Sequence, residues 1–148
     1  MTRAGNVIAL HLLERHEARP RPVEVVRAVE GYGLEGNLHS GRDRRQVLLL
    51  ERETLDALGL APGDLREQIT VDVPGITGLP EGTRLRVGDA VLEATGPCEP
   101  CTHIGDLLGK DDAPGFQADL RGRRGLLARV DRVEGDGMIR VGDPVEVL

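Results

Sequence analysis

Apolar residues in this chain come in short alternating runs, each closed within a few residues by glycine, proline or aspartate. Val7 to Leu13, Val23 to Val29, Val47 to Leu50, Ile69 to Val73, Leu85 to Val87, Ala90 to Ala94, Leu126 to Val133, Met138 to Val141 and Val145 to Val147 all follow this pattern. Period-two alternation puts one face of a segment into a core and the other outside, and the β-branched content favours strands over helices. Eight or nine strands in 148 residues leave room for one core,. The expectation is a mainly β, barrel-like single domain over residues 1–148 with a few short helices. Arg-Val-Gly-Asp occurs at Arg86 to Asp89 and again at Arg140 to Asp143, and Gly-Asp between apolar runs reads as a tight turn.

Helix is the minority. Glu51 to Leu58 carries Leu55 and Leu58 at helical spacing, with Gly59 as the stop,. Shorter helices are expected within Ile104 to Leu108 and Gly115 to Leu120. Gly31 to Asp43 reads as a long loop because Gly31, Gly33, Gly36, Asn37, His39 and Ser40 interrupt every period,. Loops of this length in small domains often belong to sites.

Charge narrows the function classes. Nineteen Lys and Arg against 25 Asp and Glu give a net −6, which argues against a general nucleic-acid binder, and one Phe, one Tyr and no Trp leave no platform for stacking bases,. Local clusters, Arg42 to Arg45 and Arg121 to Arg124, still suit an anion, better a phosphate on a small molecule than on DNA. No run approaches the ~20 apolar residues of a membrane span, and the N-terminus lacks the apolar stretch of a secretion signal. A cytoplasmic protein with reduced thiols is expected.

Three groups of residues carry chemistry. Cys98-Glu99-Pro100-Cys101 follows the strand-like run ending near Thr95; a thiol at a strand end is held by the sheet yet open to ligand, and a thiolate is both a strong nucleophile and a soft-metal ligand. The pair is also half a zinc site, with His103 and His39 as candidate third and fourth ligands. A thioredoxin-like dithiol fits poorly without a βαβ pattern, and two small buried side chains are the plainest alternative. In Leu65 to Val71, alternation puts Arg66, Gln68 and Thr70 on one face and Ile69 and Val71 on the other,. That polar row is either a solvated outer face or a set of hydrogen-bonding groups, with Arg66 suited to phosphate and Gln68 to a pterin-type ring edge. Gly36 to Val47, with His39, Arg42, Asp43, Arg44 and Arg45, is a glycine-rich basic loop.

Taken in order, these groups resemble the MOSC domain, the C-terminal domain family of molybdenum cofactor sulfurases. Gly33-Leu34-Glu35-Gly36-Asn37 is similar to the family's glycine-rich entry, Arg45 to Leu50 to its first core strand and Leu65 to Ile69 to its Arg-x-Asn-Ile element. Arg86 to Ala90, the segment ending in Cys101, Gly125 to Val130 and Val141 to Val145 follow in the family's order. The resemblance spans about residues 23–148.

It implies a β-barrel-like fold with a molybdopterin-type molybdenum cofactor in a positively lined cleft. Cys101 matches the cysteine that coordinates molybdenum or handles sulfur, and Arg66 and Gln68 match positions near the cofactor's phosphate and pterin. Asp43, Arg44 and Arg45 match another wall. Cys98, Glu99 and His39 complete the expected cofactor-binding set. The most concrete activity implied is reduction of N-hydroxylated bases or amidoximes, with electrons from a separate redox protein, because the chain shows no flavin or iron–sulfur motif. A non-catalytic sulfur or cofactor carrier working with a sulfur-donor protein, and a zinc-stabilised binding module, are the alternatives. Asn37, Gln68 and Glu99-Pro100 depart from the residues many members carry, and Glu99 sets a carboxylate where an anionic cofactor is expected.

Overall fold

The computed structural model describes residues 3–100 and 102–148. Strand β1 (Ala4–Leu12) is followed by β2 (Arg21–Val23), β3 (Val25–Val29), β4 (Gly33–Leu34) and β5 (Val47–Glu51); helix α1 (Arg52–Leu58) leads to β6 (Ile69–Val71). A single 3-10 turn at Ile76–Gly78 precedes β7 (Arg84–Val87) and β8 (Ala90–Pro97), then α2 (Thr102–Leu107) and α3 (Ala113–Asp119), then β9 (Leu126–Val133), β10 (Met138–Arg140) and β11 (Pro144–Val147). The pairings run β11-β7-β8-β9-β5-β6-β1, and β11 also pairs with β1, closing a barrel of seven strands. Closure removes the free edges an open sheet would expose. The expected mainly β, barrel-like fold is therefore what the chain adopts.

Two expectations are corrected. Val23 to Val29 is not one strand: β2 pairs with β1, whereas β3 pairs with β10 and β4 in a separate three-stranded sheet. Part of the Gly31 to Asp43 loop is also a strand, because Gly33 and Leu34 pair with Val29 and Ala28. Gly33 has φ +125°, a conformation that only glycine adopts freely and that no periodicity signals,.

Inward residues of the alternating runs fill the barrel, among them Leu49, Ile69, Val71, Leu85, Leu92 and Leu126. Strand β5 is buried at every position. It runs parallel to β6 through the α1 crossover, and its outward Leu50 meets Leu55 of α1, Leu65, Ile104 of α2, and Phe116 and Leu120 in a second apolar cluster. Parallel strands covered on both faces read as continuous apolar runs, as Val-Leu-Leu-Leu does. The outer wall of the barrel at β5 and β6 thus lies under a helical layer, and the candidate site sits between them.

Gly125 holds the junction in place. Its φ is +110°, and a Cβ there would come within 2.7 Å of Leu48 Cδ1 and 2.8 Å of the Leu49 carbonyl. Its own carbonyl accepts the Cys98 amide at 2.9 Å. Gly125→Ala is expected to lower stability by more than about 2 kcal/mol, since both the backbone conformation and the contact with backbone become unfavourable. Thermal unfolding checks this; a loss under about 0.5 kcal/mol would show that the chain rearranges there at little cost.

Candidate functional site

A cavity of about 140 Å³ opens between the outer face of the barrel wall and helix α2. Val47, Leu48 and Leu127 form its floor, Ile104 and Leu107 of α2 its far side, and Leu13 another wall. His39, Arg45, Arg66, Gln68, Cys98, His103 and Arg124 supply its polar atoms. No carboxylate is among the described lining residues. A second hollow of about 390 Å³ adjoins it and shares Arg66 and Leu107.

Each polar group is set by local hydrogen bonding. Gln68 is buried; its Oε1 accepts the Leu48 amide at 2.8 Å and its Nε2 donates to the Arg66 carbonyl at 3.0 Å. The side chain therefore extends the β5–β6 ladder and leaves one amide hydrogen uncommitted. Thr70 is buried as well and donates to Glu67 Oε2 at 2.8 Å. The polar row is not a solvated outer face, because the helical layer covers it.

Arg66 is the one non-glycine among the described residues with positive φ, +64°. Its Nη1 donates to the Ala18 carbonyl at 2.9 Å and its Nη2 to the His16 carbonyl. The guanidinium thus ties the β1–β2 loop across one side of the cavity. Burial, then repulsion from Arg124, pulls its pKa down, with Glu17 opposing; two cationic groups therefore converge on this wall.

Arg124 is the group that sequence reasoning left inside a basic run. It is only 8% exposed, and its Nη1 is buried without a hydrogen-bond partner. A buried charged donor left unmade is costly, and such groups in folded proteins call for an explanation. Glu67, fully buried, is the carboxylate behind this wall: Oε2 accepts the Gly63 amide at 3.0 Å, while Oε1 is unpartnered. Burial pushes the Glu67 carboxyl up, against hydrogen bonds and the field of Arg124 that hold it down.

The loop bearing His39 and Arg45 is stapled by two buried amides. Asn37 Oδ1 accepts the Leu13 amide at 2.9 Å, and its Nδ2 donates to the Gln46 carbonyl at 3.3 Å. Gln46 donates to the carbonyls of Arg42 and Gly31 and accepts the Val130 amide at 2.9 Å. These bonds fix the loop against β1 and β9 without using a glycine cradle.

His39, Arg45, Arg66, Gln68 and Cys98 are thus brought together. Asp43, Arg44 and Glu99 are not. Asp43, 88% exposed, lies 3.7 Å from Arg129, and Arg44 pairs with Glu81 at 2.8 Å; both side chains turn along the barrel surface, away from the cavity. Glu99 is exposed and outside the described lining of this cavity. Cys101 lies outside the described residues. Among the described residues no three His, Cys, Asp or Glu side chains assemble as a metal-ligand set; Cys98, His39 and His103 share the cavity lining without doing so.

Residues 36–146 match the MOSC domain family. The chain belongs to that family. Among solved crystal structures, the YuaD protein from Bacillus subtilis superposes with a TM-score of 0.83 at 22% identity, covering 99% of this chain and 97% of that one. YiiM from Escherichia coli superposes with a TM-score of 0.68 at 18% identity, over 97% of this chain and 69% of that one. YiiM from Geobacillus stearothermophilus gives 0.66 at 19% identity, over 96% and 73%. At these identities the MOSC barrel, not its chemistry, is what is shared. No curated protein matches the chain in sequence. No helix among the described residues of this MOSC protein is long and apolar enough to cross a membrane.

Proposed function

We propose that the cavity seats the anionic end of a molybdopterin-type molybdenum cofactor, and that Cys101 supplies the thiolate for molybdenum or for sulfur transfer. The observation that supports this reading is the convergence of Arg45, Arg66 and Arg124 on a cavity lined by no described carboxylate, with Arg124 Nη1 buried and unpaired. Arginine forks match phosphate oxygens in pairs. The donor set fits the group: cations for the phosphate, the free Gln68 amide hydrogen for a ring edge, and, at Cys98, a soft thiol in the lining,. The cavity is small against the roughly 300–1,000 Å³ of ordinary ligand pockets, which suits an end group, and the adjoining hollow that shares Arg66 gives a larger ligand further room.

When bound, such a cofactor supplies two-electron redox chemistry in a sulfur-rich metal sphere. The chain's own part is to bind and orient. Arg66 and Arg124 hold the phosphate, and Leu48, Leu127 and Ile104 exclude water from one side, which strengthens those charge contacts. The enzymatic version is reduction of N-hydroxylated compounds with electrons from a separate protein. The second reading, a sulfur or cofactor carrier, uses the same thiol and rests on the Glu99-Pro100 sequence before it, where cofactor-binding reductases of the family often carry Ser-Arg.

Molybdenum, pterin, zinc and persulfide analysis of protein purified from a cofactor-producing host separates these. Molybdenum and pterin in equal amounts are expected. Persulfide without metal would favour the carrier, and stoichiometric zinc would overturn both.

A further inference from the structure

All four histidines of the chain stand around the two adjoining cavities. His39 and His103 line the inner cavity and His11 the outer one, and His16 meets the His39 ring edge-on with centroids 6.5 Å apart. His39 differs from the rest in its surroundings. It sits on the stapled loop, its Nδ1 is enclosed without a partner, and the groups facing it are cationic. Arg42 and Arg45 come from its own loop, His16 from the β1–β2 loop and Arg66 from the segment before β6. His103 of α2 and Arg124, just before β9, complete the lining. Glu17 lies 3.7 Å from His103, at the rim. Burial first, and then the fields of Arg42, Arg45, His16 and Arg66, hold the His39 imidazole down to a pKa of about 4. The ring is therefore neutral at physiological pH while the cavity carries no anion.

An oxyanion in this cavity opposes the local positive field. A single negative charge offsets part of the repulsion from the arginines; a second favours a proton on His39, whose imidazole lines the cavity,. An imidazolium then offers a donor to the anion where a neutral ring with a buried orphan nitrogen offers less. We propose that His39 is the residue by which this cavity selects doubly charged oxyanions, becoming an imidazolium donor only when such an anion is bound. The chemical class is a phosphate monoester, in preference to a diester or another singly charged anion. The reaction is proton binding alone: imidazole takes one proton from solvent as the dianion enters and returns it as the dianion leaves.

This inference rests on the reading of the cavity as an anion site, and the test separates the two. Phenyl phosphate is titrated calorimetrically into the protein at pH 7.5 and at pH 6.5, each in two buffers of different ionisation enthalpy, with dimethyl phosphate as the singly charged comparison. The expected result is net proton uptake on binding phenyl phosphate that grows as the pH is lowered from 7.5 to 6.5, loss of that uptake in His39→Gln with binding weakened but measurable, and dimethyl phosphate binding at least about tenfold more weakly than phenyl phosphate in the wild type. Circular dichroism confirms that the variant is folded. Binding without proton uptake, or uptake that persists in His39→Gln and vanishes in His103→Gln, overturns the role of His39 and leaves the anion site standing. No binding of phenyl phosphate overturns both.

Discussion

Cys101→Ser is expected to abolish every thiol-dependent property of the protein while leaving its folding intact. The change replaces one atom, but a serine hydroxyl does not ionise near neutral pH and forms neither a persulfide nor a soft bond to molybdenum. With polysulfide as donor, a thiolate attacks a terminal sulfur, a new S–S bond forms at the cysteine and a shortened polysulfide leaves. Mass spectrometry after such treatment should show the added sulfur on the wild type and on Cys98→Ser, and none on Cys101→Ser. Cys98 serves as the control because it is only 7% exposed and its amide is committed to the Gly125 carbonyl. Equal loss in Cys98→Ser alone, with label retained in Cys101→Ser, would make Cys98 the functional thiol.

Arg124→Ala is expected to weaken phosphate-monoester binding by about 1.5–3 kcal/mol, the range for a hydrogen bond to a charged group, or roughly 10- to 150-fold. Stability should move much less than binding. The buried guanidinium Nη1 makes no hydrogen bond, so its removal relieves a desolvation cost that offsets part of the lost packing. The same change withdraws the positive field that holds the Glu67 carboxyl down, so the pKa of Glu67 should rise further. Arg124→Lys should restore the charge and only part of the affinity, because a point charge lacks the planar fork. Calorimetric titration and thermal unfolding of the two variants measure both quantities. A large loss of stability with unchanged affinity in the folded protein would make Arg124 a structural residue.

The barrel was legible because its inner face is written in alternation: Ile69 and Val71 point into the core as their spacing requires. The opposite face was not, since Gln68 and Thr70 look the same in sequence whether water or a helix covers them. Only the position of the helical layer over β5 and β6 decides it. The basic clusters show a related difficulty. Arg121-Gly122-Arg123-Arg124 reads as one basic cluster suited to an anion, with nothing to tell its arginines apart, yet Arg123 turns back to the Asp119 carbonyl at the end of α3, while Arg124 goes inward beside Gly125. The signal available was a glycine between that arginine and an apolar alternation, which marks a backbone conformation that redirects the preceding side chain. Asp43 and Arg44, near Arg45 in sequence, find partners in Arg129 and Glu81 that only the closed barrel brings within reach. His16 and His39, far apart in sequence, meet only in three dimensions.

The central claim, that this cavity is the seat of the cofactor's anionic end, is tested most directly by titrating molybdopterin into the wild type, Arg124→Ala, Arg66→Ala and Arg44→Ala, with all four shown to be folded. Arg44 is the control, an arginine of the His39 to Arg45 loop that pairs with Glu81 outside the cavity. The predicted result is one-to-one binding to the wild type and to Arg44→Ala with similar affinity, and at least about tenfold weaker binding to Arg124→Ala and Arg66→Ala. Equal binding by all four proteins, or no binding by the wild type, would contradict it.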